Sequence, residues 1–214
     1  MTEIWFIRHG ETAWNLERRL QGWQDIPLND TGREQAALLA ARMQDEAASQ
    51  PFTALYSSDL QRTHATAAPI SEQLALRIRT EPGLRERAYG VLESLHLDRI
   101  DELQPAAAAA WKSRDPLRPI EGGETLAQFH GRVIATVEDL AQRHAGERIL
   151  AVTHGGVLDI LWRQASGVAL ELPRQAALLN ASLNRIAIEG RQWQLLSWGD
   201  VGHLTAESAS DIVP

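Results

Sequence analysis

Residues 4–12 read IWFIRHGET, a short apolar and β-branched run that leads directly into Arg8, His9 and Gly10. The apolar run predicts a strand, and ligands of open α/β sheets bind in the crevice outside the carboxyl ends of strands. Arg8 supplies a fixed positive charge, and His9 supplies a ring nitrogen that can act as nucleophile or base. Gly10 allows the backbone to turn sharply and to approach a ligand. A strand that simply ends in a polar surface turn is the alternative interpretation, and this segment alone leaves both open.

Two further strand ends carry residues of the same kind. Residues 149–156 read ILAVTHGG, so His154 follows an apolar run, and the glycine pair would leave N–H groups free for an anion at the start of a buried helix. Residues 54–58 predict another strand, and residues 58–61 have the capping-box pattern that would open a helix with Arg62 in its first turn. Two arginines and two histidines at one sheet edge predict a site for a tetrahedral dianion such as phosphate.

The composition narrows the class of protein. The 214 residues are enough for one domain with a sizeable core, or for one domain with a small cap. The net charge of −7 disfavours nucleic acid and anionic membranes as partners. The chain has no cysteine, which excludes disulfides, thiolate metal sites and cysteine nucleophiles. Because it has no signal-peptide pattern and no apolar run long enough to cross a membrane, we expect a cytoplasmic protein.

Strand and helix patterns alternate along the chain, which predicts an α/β fold with a Rossmann-like three-layer sandwich around a mostly parallel central sheet. A capping box at residues 31–34 predicts a helix that continues through residues 36–43. Apolar positions three and four apart predict a long helix over residues 125–144. Residues 183–188 and 192–196 alternate in polarity and predict a hairpin.

Residues 84–124 differ in composition from the rest of the chain. They contain three prolines and a run of alanines, and they predict a small cap that is helical around residues 100–112. We therefore expect a single domain over residues 1–214 with this cap inserted in it.

The motifs in this order resemble the histidine phosphatase superfamily, in the branch that includes the cofactor-dependent phosphoglycerate mutases. The resemblance covers nearly the whole chain, and it is strongest to small bacterial proteins that are mutase-like in sequence but act as phosphatases. The segments that carry it are Arg8–Thr12 with Asn15, Gln21–Gly22, Leu28–Gly32 with Gln35–Ala36, Ser57–Leu60 with Arg62–Thr63 and Thr66–Ala67, Leu84–Glu86 with Gly90, Gly122–Thr125, and Thr153–Gly156.

The resemblance implies the roles of five residues. His9 would be the nucleophile that carries the phosphoryl group on a ring nitrogen, so its other ring nitrogen should donate to a backbone carbonyl. Arg8, Arg62 and His154 would bind the non-bridging oxygens and neutralise charge during transfer. Glu86 would give a proton to the leaving oxygen and then accept one from water.

The choice of Glu86 as the acid rests on its position in the family motif and not on local spacing. Three other carboxylates compete with it, namely Glu11, Glu93 and Glu124. Glu93 is followed by Ser94 where many relatives have glycine, so a role carried over from that pair is uncertain.

Four more residues complete the predicted phosphate-binding set. Asn15 and Gln21 would offer neutral donors to the phosphate oxygens, with Gly22 and Gly155 beside them. Asn15 could equally be a helix cap, and Gln21 a residue of a surface turn.

The resemblance implies a metal-independent phosphomonoesterase that needs no cofactor and acts on small phosphorylated metabolites through phosphohistidine. A phosphoglycerate mutase would use the same site, and residues 86–90 resemble the mutase pattern. Two features favour the phosphatase instead: Gln21–Gly22 resembles the phosphatase pattern, and the cap is shorter than in mutases. A non-catalytic phosphate-binding module and a metal hydrolase are two further alternatives, although the clustering that a metal needs is absent from the sequence. The expected partner is a small anionic phosphomonoester, without nucleic acid or membrane, and the protein is expected to be a monomer or homodimer.

Overall fold

A six-stranded sheet forms the centre of the computed structural model, which describes residues 1–205. The strands are β1 (Thr2–Arg8), β2 (Ala54–Ser57), β3 (Ile78–Thr80), β4 (Arg148–Thr153), β5 (Leu183–Glu189) and β6 (Gln192–Asp200). Their order in the sheet is β3-β2-β4-β1-β5-β6. The first four strands of this order pair in parallel, and β5 and β6 add an antiparallel edge.

Helices cover both faces of this sheet. In chain order, the helices of the described residues are α1 (Ala13–Leu16), α2 (Asp30–Ser49), α3 (Gln61–Leu74), α4 (Ile100–Leu103), α5 (Pro105–Ser113), α6 (Leu126–Arg143) and α7 (Gly155–Ser166). Short 3₁₀ turns lie at Pro82–Leu84, Gly90–Leu92 and Leu97–Arg99.

Successive side chains of β1 explain the layering, because they point to opposite faces of the sheet. Ile4 and Phe6 belong to a core that α6 and α7 complete, whereas Trp5 and Ile7 belong to a second core against α2 and α3. Both cores are apolar, so the strand is buried on both faces, as central parallel strands are. The predicted α/β class, with a mostly parallel sheet between two helical layers, is confirmed.

The register of the parallel strands determines where the polar residues of the strand ends lie. Arg8 is the register partner of Thr153, and Ser57 is the partner of Val152. Each strand then leaves the sheet at the same edge, and the backbone N–H of His9 still donates to the Thr153 carbonyl at 2.9 Å. The residues that follow β1, β2 and β4 therefore meet at one place.

Two predicted helix starts are wrong, and each has a local reason. The helix expected from the box at residues 31–34 begins earlier as α2, where the Asn29 side chain caps it by accepting from the Gly32 N–H at 2.8 Å. The box at residues 58–61 does not form, since Leu60 is the cap residue of α3 and no side-chain cap bond is made. The Ser58 hydroxyl is bonded to His154 instead, at 2.9 Å.

Other predicted elements are confirmed. The long helix α6 begins after a capping box in which Thr125 and Gln128 bond each other's backbone, and β5 and β6 form the hairpin. Two helices, α4 and α5, occupy the stretch over residues 100–112.

Residues 84–124 build a third apolar cluster apart from the two cores of the sheet. Leu92, Ile100 and Ile120 are among its buried members, and Leu20, from the segment between α1 and α2, also belongs to it. Ser94, in the same segment, has a φ of 72°, which is the left-handed region that favours glycine. That this segment acts as a cap on a single domain stays a prediction.

Gly10 is needed for a different reason from the one expected. It has no positive φ, and a Cβ there would lie 2.5 Å from the Gly32 carbonyl oxygen. A Cβ on Gly32 would in turn lie 2.1 Å from the Glu11 carbonyl oxygen. The backbone after β1 thus packs directly against the first turn of α2, and only glycine fits at both positions.

We expect Gly32→Ala to lower the free energy of unfolding by about 1–3 kcal/mol, because the added methyl group overpacks this backbone contact. Gly131→Ala is the matched control: Gly131 is exposed in the middle of α6, and a Cβ there meets nothing within 4 Å. The control should raise the free energy of unfolding by about 0.5–1 kcal/mol through helix propensity. Urea unfolding measures both, and equal effects of the same sign would contradict the packing argument.

Candidate active site

The two predicted histidines come together at the carboxyl edge of the sheet. The ring centroids of His9 and His154 lie 5.3 Å apart, and both side chains are buried. Arg8, from the end of β1, and Arg62, from the first turn of α3, are buried beside them. Residues from three segments that are far apart in the sequence therefore surround one small volume.

His9 is held in a single tautomer. Its Nδ1 lies 2.7 Å from the Gly10 carbonyl oxygen, which can only accept, so Nδ1 carries the proton and Nε2 is left with a lone pair. This is the hydrogen bond to a backbone carbonyl that was expected. Burial lowers the pKa of His9 well below its usual value, and the positive charges of Arg62 and Arg8 lower it further. The ring is therefore neutral at physiological pH.

Arg62 is fully buried and ties three segments together. Its Nη2 donates to the Gly22 carbonyl at 2.7 Å, its Nη1 to the Gln24 carbonyl at 2.8 Å, and its Nε to His154 Nδ1 at 3.2 Å. Burial lowers the pKa of Arg62 to about 10, so the group stays charged at neutral pH. Arg8 is anchored in a similar way through the Leu178 carbonyl and contributes to the same positive region.

His154 uses both of its ring nitrogens within the protein. Because Nδ1 accepts from Arg62, the proton lies on Nε2, which donates to the Ser58 hydroxyl at 2.9 Å. Burial is the main cause of a lowered pKa, with Arg62 and His9 adding to it, so this ring is also neutral. A direct bond from His154 to a phosphate oxygen would have to replace its bond to Ser58.

Glu86 lies where the helix α7 begins. Its Oε2 accepts from the Gly156 N–H at 2.9 Å, and its Oε1 accepts from the Arg87 N–H at 2.8 Å. A Cβ on Gly156 would lie 2.1 Å from Oε1, so a larger residue there would displace the Glu86 carboxylate. One of the two N–H groups that we expected to bind an anion is thus already used by the protein's own carboxylate, at the end of the helix where negative charge is favoured.

The competing carboxylates are used elsewhere. Glu11 accepts from the Asn29 amide at 2.7 Å, and Glu124 pairs with Arg132 at 2.7 Å. Glu93 accepts from the backbone of Trp23 and Tyr89 and from the Gln24 amide. Within residues 1–205, Glu86 is the carboxylate that lines the pocket around His9.

The four predicted binding residues all line this pocket, together with Arg8, His9 and Arg62. The Asn15 Oδ1 accepts from the Thr12 N–H at 3.0 Å, so Asn15 is the third helical residue of a capping box whose cap residue is Thr12. The role of Asn15 in phosphate binding stays a prediction.

The Gln21 side chain is buried, and its Oε1 has no hydrogen-bond partner among the described residues. The alternative that Gln21 belongs to a turn is confirmed, because its carbonyl accepts from the Gln24 N–H at 2.9 Å and the turn residue Trp23 is exposed. Gly22 has a φ of 52°, and a Cβ there would meet the Glu93 carboxylate at 2.2 Å.

Sequence reasoning missed several residues of the site. Ser58 orients His154, and its place directly after β2 was the one signal that could have indicated this. Tyr89 and Arg174 line the pocket from the cap segment and from the stretch between α7 and β5, and neither belongs to a local pattern.

Two further findings concern the described part of the chain. Residues 1–205 contain no group of three or more histidine, aspartate or glutamate side chains arranged to hold a metal ion. Of the helices in the same range, none combines the length and the apolar character that crossing a membrane requires.

Comparisons with known proteins show the family of this chain. The family model of the histidine phosphatase superfamily (branch 1) matches residues 4–201. The chain is 38% identical to phosphoglycerate mutase-like protein 4 of Arabidopsis thaliana over 94% of this chain and 86% of that protein. It is 36% identical to a metal-independent phosphoserine phosphatase of the same plant, over 96% of this chain and 84% of that protein.

The fold is similar to solved structures as well. The structure of Bacillus stearothermophilus YhfR superimposes with a TM-score of 0.83 at 32% identity, covering 95% of this chain and 99% of that one. The family match spans nearly all of the chain and includes the residues that surround His9. The chain therefore belongs to branch 1 of the histidine phosphatase superfamily.

Proposed function

We propose that this protein is a phosphomonoesterase that hydrolyses small phosphorylated metabolites through a phosphohistidine on His9, without a metal ion. The observation that carries the proposal is the state of His9: a neutral ring whose proton lies on Nδ1, in a pocket that Arg8, Arg62 and Glu86 also line. Relatives named as a phosphoserine phosphatase and a mutase-like protein support a phosphoryl-transfer reaction.

The first step transfers the phosphoryl group to the protein. The lone pair of His9 Nε2 attacks phosphorus, and the bond from phosphorus to the ester oxygen breaks in line with the attack. Arg8 and Arg62 offset the negative charge of the transferring oxygens. Glu86, in its protonated form, gives its proton to the departing oxygen, so that the product leaves as a neutral alcohol.

The second step restores the protein. A water molecule gives a proton to the Glu86 carboxylate while its oxygen attacks phosphorus, and the phosphorus–nitrogen bond breaks. Inorganic phosphate leaves, His9 is neutral again, and Glu86 is protonated for the next cycle. Neither step calls on a metal ion, because the arginines supply the positive charge.

A phosphoglycerate mutase shares the first step and differs in what reaches the phosphohistidine second. A mutase must keep water away until a substrate hydroxyl attacks, which requires a closed site. Here the pocket lining includes Arg18, which is solvent-exposed, and Trp14, which is half-buried, so the pocket is accessible to water. This observation favours hydrolysis over isomerisation.

Phosphate release in the presence of a chelator is the direct test of this function. We expect the protein, freed of metal with EDTA, to release phosphate from a panel of small phosphomonoesters. In the same assay, 3-phosphoglycerate with a trace of the bisphosphate should yield more free phosphate than 2-phospho isomer. Activity that disappears with EDTA and returns with a divalent ion, or isomerisation that outruns release, would overturn the proposal.

Covalent phosphorylation of His9 is the second prediction. Rapid quenching with labelled substrate should trap an adduct that is acid-labile and base-stable, as expected for phosphorus bound to nitrogen. Peptide mapping should locate it on His9, and His9→Ala should show neither adduct nor turnover. Label on another residue, or full activity of His9→Ala, would rule out this nucleophile.

The third prediction separates the acid role of Glu86 from a structural role. Glu86→Gln keeps the size of the side chain and one of its two acceptor oxygens, so it can keep one of the two backbone hydrogen bonds, but it cannot give up a proton. We expect turnover of alkyl phosphates to fall by about a hundred- to ten-thousandfold, and that of aryl phosphates with good leaving groups far less. Equal losses for both substrate classes would remove Glu86 from the acid role.

The lowered pKa of His9 predicts a pH dependence of stability. The ring stays neutral in the folded protein but binds a proton below about pH 6.5 in the unfolded chain, so the unfolded state takes up more protons as the pH falls. The free energy of unfolding should therefore decrease below pH 6.5, by up to about 1.4 kcal/mol per pH unit from this one group. Urea unfolding of wild type and His9→Asn from pH 7.5 to 5 measures it, and identical slopes would contradict the prediction.

A further inference from the structure

We propose that Arg132 is a positioning residue for the proposed acid, because it holds the backbone of Glu86 in place while the carboxyl group gains and loses a proton. This inference rests on the proposed function, since it takes Glu86 as the group that gives its proton to the leaving oxygen. Arg132 lies on α6, outside the pocket lining, so it would act through Glu86 and not on the substrate.

Side-chain donors hold the backbone segment that leads to the proposed acid. Arg132 Nη1 donates to the Gly83 carbonyl at 2.9 Å and to the Arg85 carbonyl at 3.0 Å. Between these two, the Leu84 carbonyl accepts from the hydroxyl group of Thr153 at 2.8 Å. Three consecutive carbonyls thus have side-chain partners from α6 and β4, so tertiary contacts determine where this segment lies.

The backbone of Glu86 itself is held from two sides. Its carbonyl accepts from Arg132 Nη2 at 3.2 Å and from the indole N–H of Trp23 at 2.8 Å. A carbonyl oxygen has two lone pairs, so both have a donor. Arg132 belongs to α6 and Trp23 to the segment between α1 and α2, so the two donors come from distant parts of the chain.

All five N–H groups of Arg132 have partners in the protein. Nε and Nη2 donate to the two carboxylate oxygens of Glu124 at 2.8 and 2.7 Å, and the other three N–H groups donate to the carbonyls of residues 83, 85 and 86. A guanidinium group has five donors in one plane, whereas the ammonium group of lysine has three. We refer to Arg132 and Glu124 as the clamp pair, because their ion pair fixes the guanidinium group that holds the three carbonyls.

Glu124 extends this support to the residues that follow Glu86. Its Oε2 also accepts from the Ala88 N–H at 2.9 Å, and its backbone carbonyl accepts from Arg87 Nη2 at 2.8 Å. The clamp pair therefore holds the chain both before and after the proposed acid.

The change of charge that Glu86 undergoes in each cycle explains why its backbone needs this support. The carboxylate accepts from the N–H groups of Gly156 and Arg87. Once protonated, the carboxyl group is neutral, so these bonds weaken, and its O–H must point to the leaving oxygen. The bonds to the Glu86 carbonyl do not depend on that proton, so they keep the residue in place in both states.

The position of Glu86 matters because a proton passes only between heavy atoms that are about 2.6–3.2 Å apart. A displacement of about 1 Å can cost about a hundredfold in rate. Weakening the clamp pair should therefore slow the substrates that need this proton and largely spare those that do not.

Two substrates with different leaving groups test the inference: glycerol phosphate, which needs the proton, and 4-nitrophenyl phosphate, which does not. Their kcat/KM values report on the steps up to the departure of the alcohol. Arg132→Lys keeps the positive charge but has too few donors for the five bonds. We expect it to lower kcat/KM for glycerol phosphate by about ten- to a hundredfold, and for 4-nitrophenyl phosphate by less than about threefold.

Trp23→Phe is a second, milder variant. It removes one donor to the Glu86 carbonyl from an exposed side chain and keeps an aromatic ring at that position. It should show the same preference for loss on glycerol phosphate, at about three- to tenfold. This variant decides the question if Arg132→Lys does not fold.

A double-mutant cycle measures whether Arg132 acts through Glu86. With Glu86→Gln already present, the proton is lost, so adding Arg132→Lys should change kcat/KM for glycerol phosphate by less than about threefold. Losses that multiply would show that Arg132 acts independently of Glu86 and would contradict the inference.

Arg148→Lys is the matched control for a purely structural effect. Arg148 is also a buried arginine with a carbonyl partner, that of Glu46 at 2.9 Å, but it lies at the start of β4, at the end of the strand opposite to the site. It should lower the midpoint of urea unfolding and leave the ratio of the two kcat/KM values unchanged. Equal losses of Arg132→Lys on both substrates would overturn this inference while the phosphatase proposal stands; no phosphate release from any substrate by wild type would instead mean that the proposed function is wrong.

Discussion

The buried charge of Arg62 is the interaction on which the site depends. Placing a guanidinium group in the interior costs several kcal/mol unless its donors are satisfied, and here carbonyls of residues 22 and 24 and a ring nitrogen of His154 satisfy three of them. These partners come from a loop and from the end of β4, so the same bonds that stabilise the charge also assemble the pocket. The charges of Glu86, Asp25 and Glu93 act on Arg62 within the protein, and a bound phosphate dianion would add a further counter-charge in the pocket.

The same positive charge controls the chemistry of the histidines. Because Arg62 and Arg8 lie beside a desolvated imidazole, the protonated form of His9 is disfavoured and the nucleophilic form is kept. The proton on Nδ1 is held by the carbonyl of the next residue, so Nε2 is the atom that can attack. Glu86 is the only carboxylate of the described pocket lining. It accepts from the Gly156 N–H at the start of α7 and from the Arg87 N–H, so backbone groups and not a guanidinium group hold it. The arginines, the proposed nucleophile and the proposed acid are thus each held by different backbone groups.

The outer part of the pocket is built on a different principle. A single carboxylate, Asp159, contacts Arg114 from the cap segment and Arg174 from the stretch before β5. The outer pocket therefore depends on how residues 84–124 pack on α7, whereas the proposed phosphate site depends on the sheet edge. Because the two parts of the pocket are separate, the outer residues can change without altering the register of β1 and β4. One reaction centre can thus serve different substrates within the family.

The sequence by itself determined the fold class and the inner site, since apolar runs that end in Arg-His-Gly and Thr-His-Gly are local patterns and parallel strands bring their carboxyl ends to one edge. It predicted α6 and the hairpin correctly because their periodicity and caps are also local. It failed where a long-range contact competes: Ser58 bonds His154 instead of capping α3, and Gly10 is required by the backbone of α2 and not by a turn. Only the tertiary structure decided which nitrogen of His9 is free, which carboxylate reaches the pocket, and that Tyr89 and Arg174 line the same pocket as Glu86. The first depends on the backbone conformation that places the Gly10 carbonyl beside the ring. The other two depend on contacts between residues far apart in the chain, and no local pattern encodes such contacts.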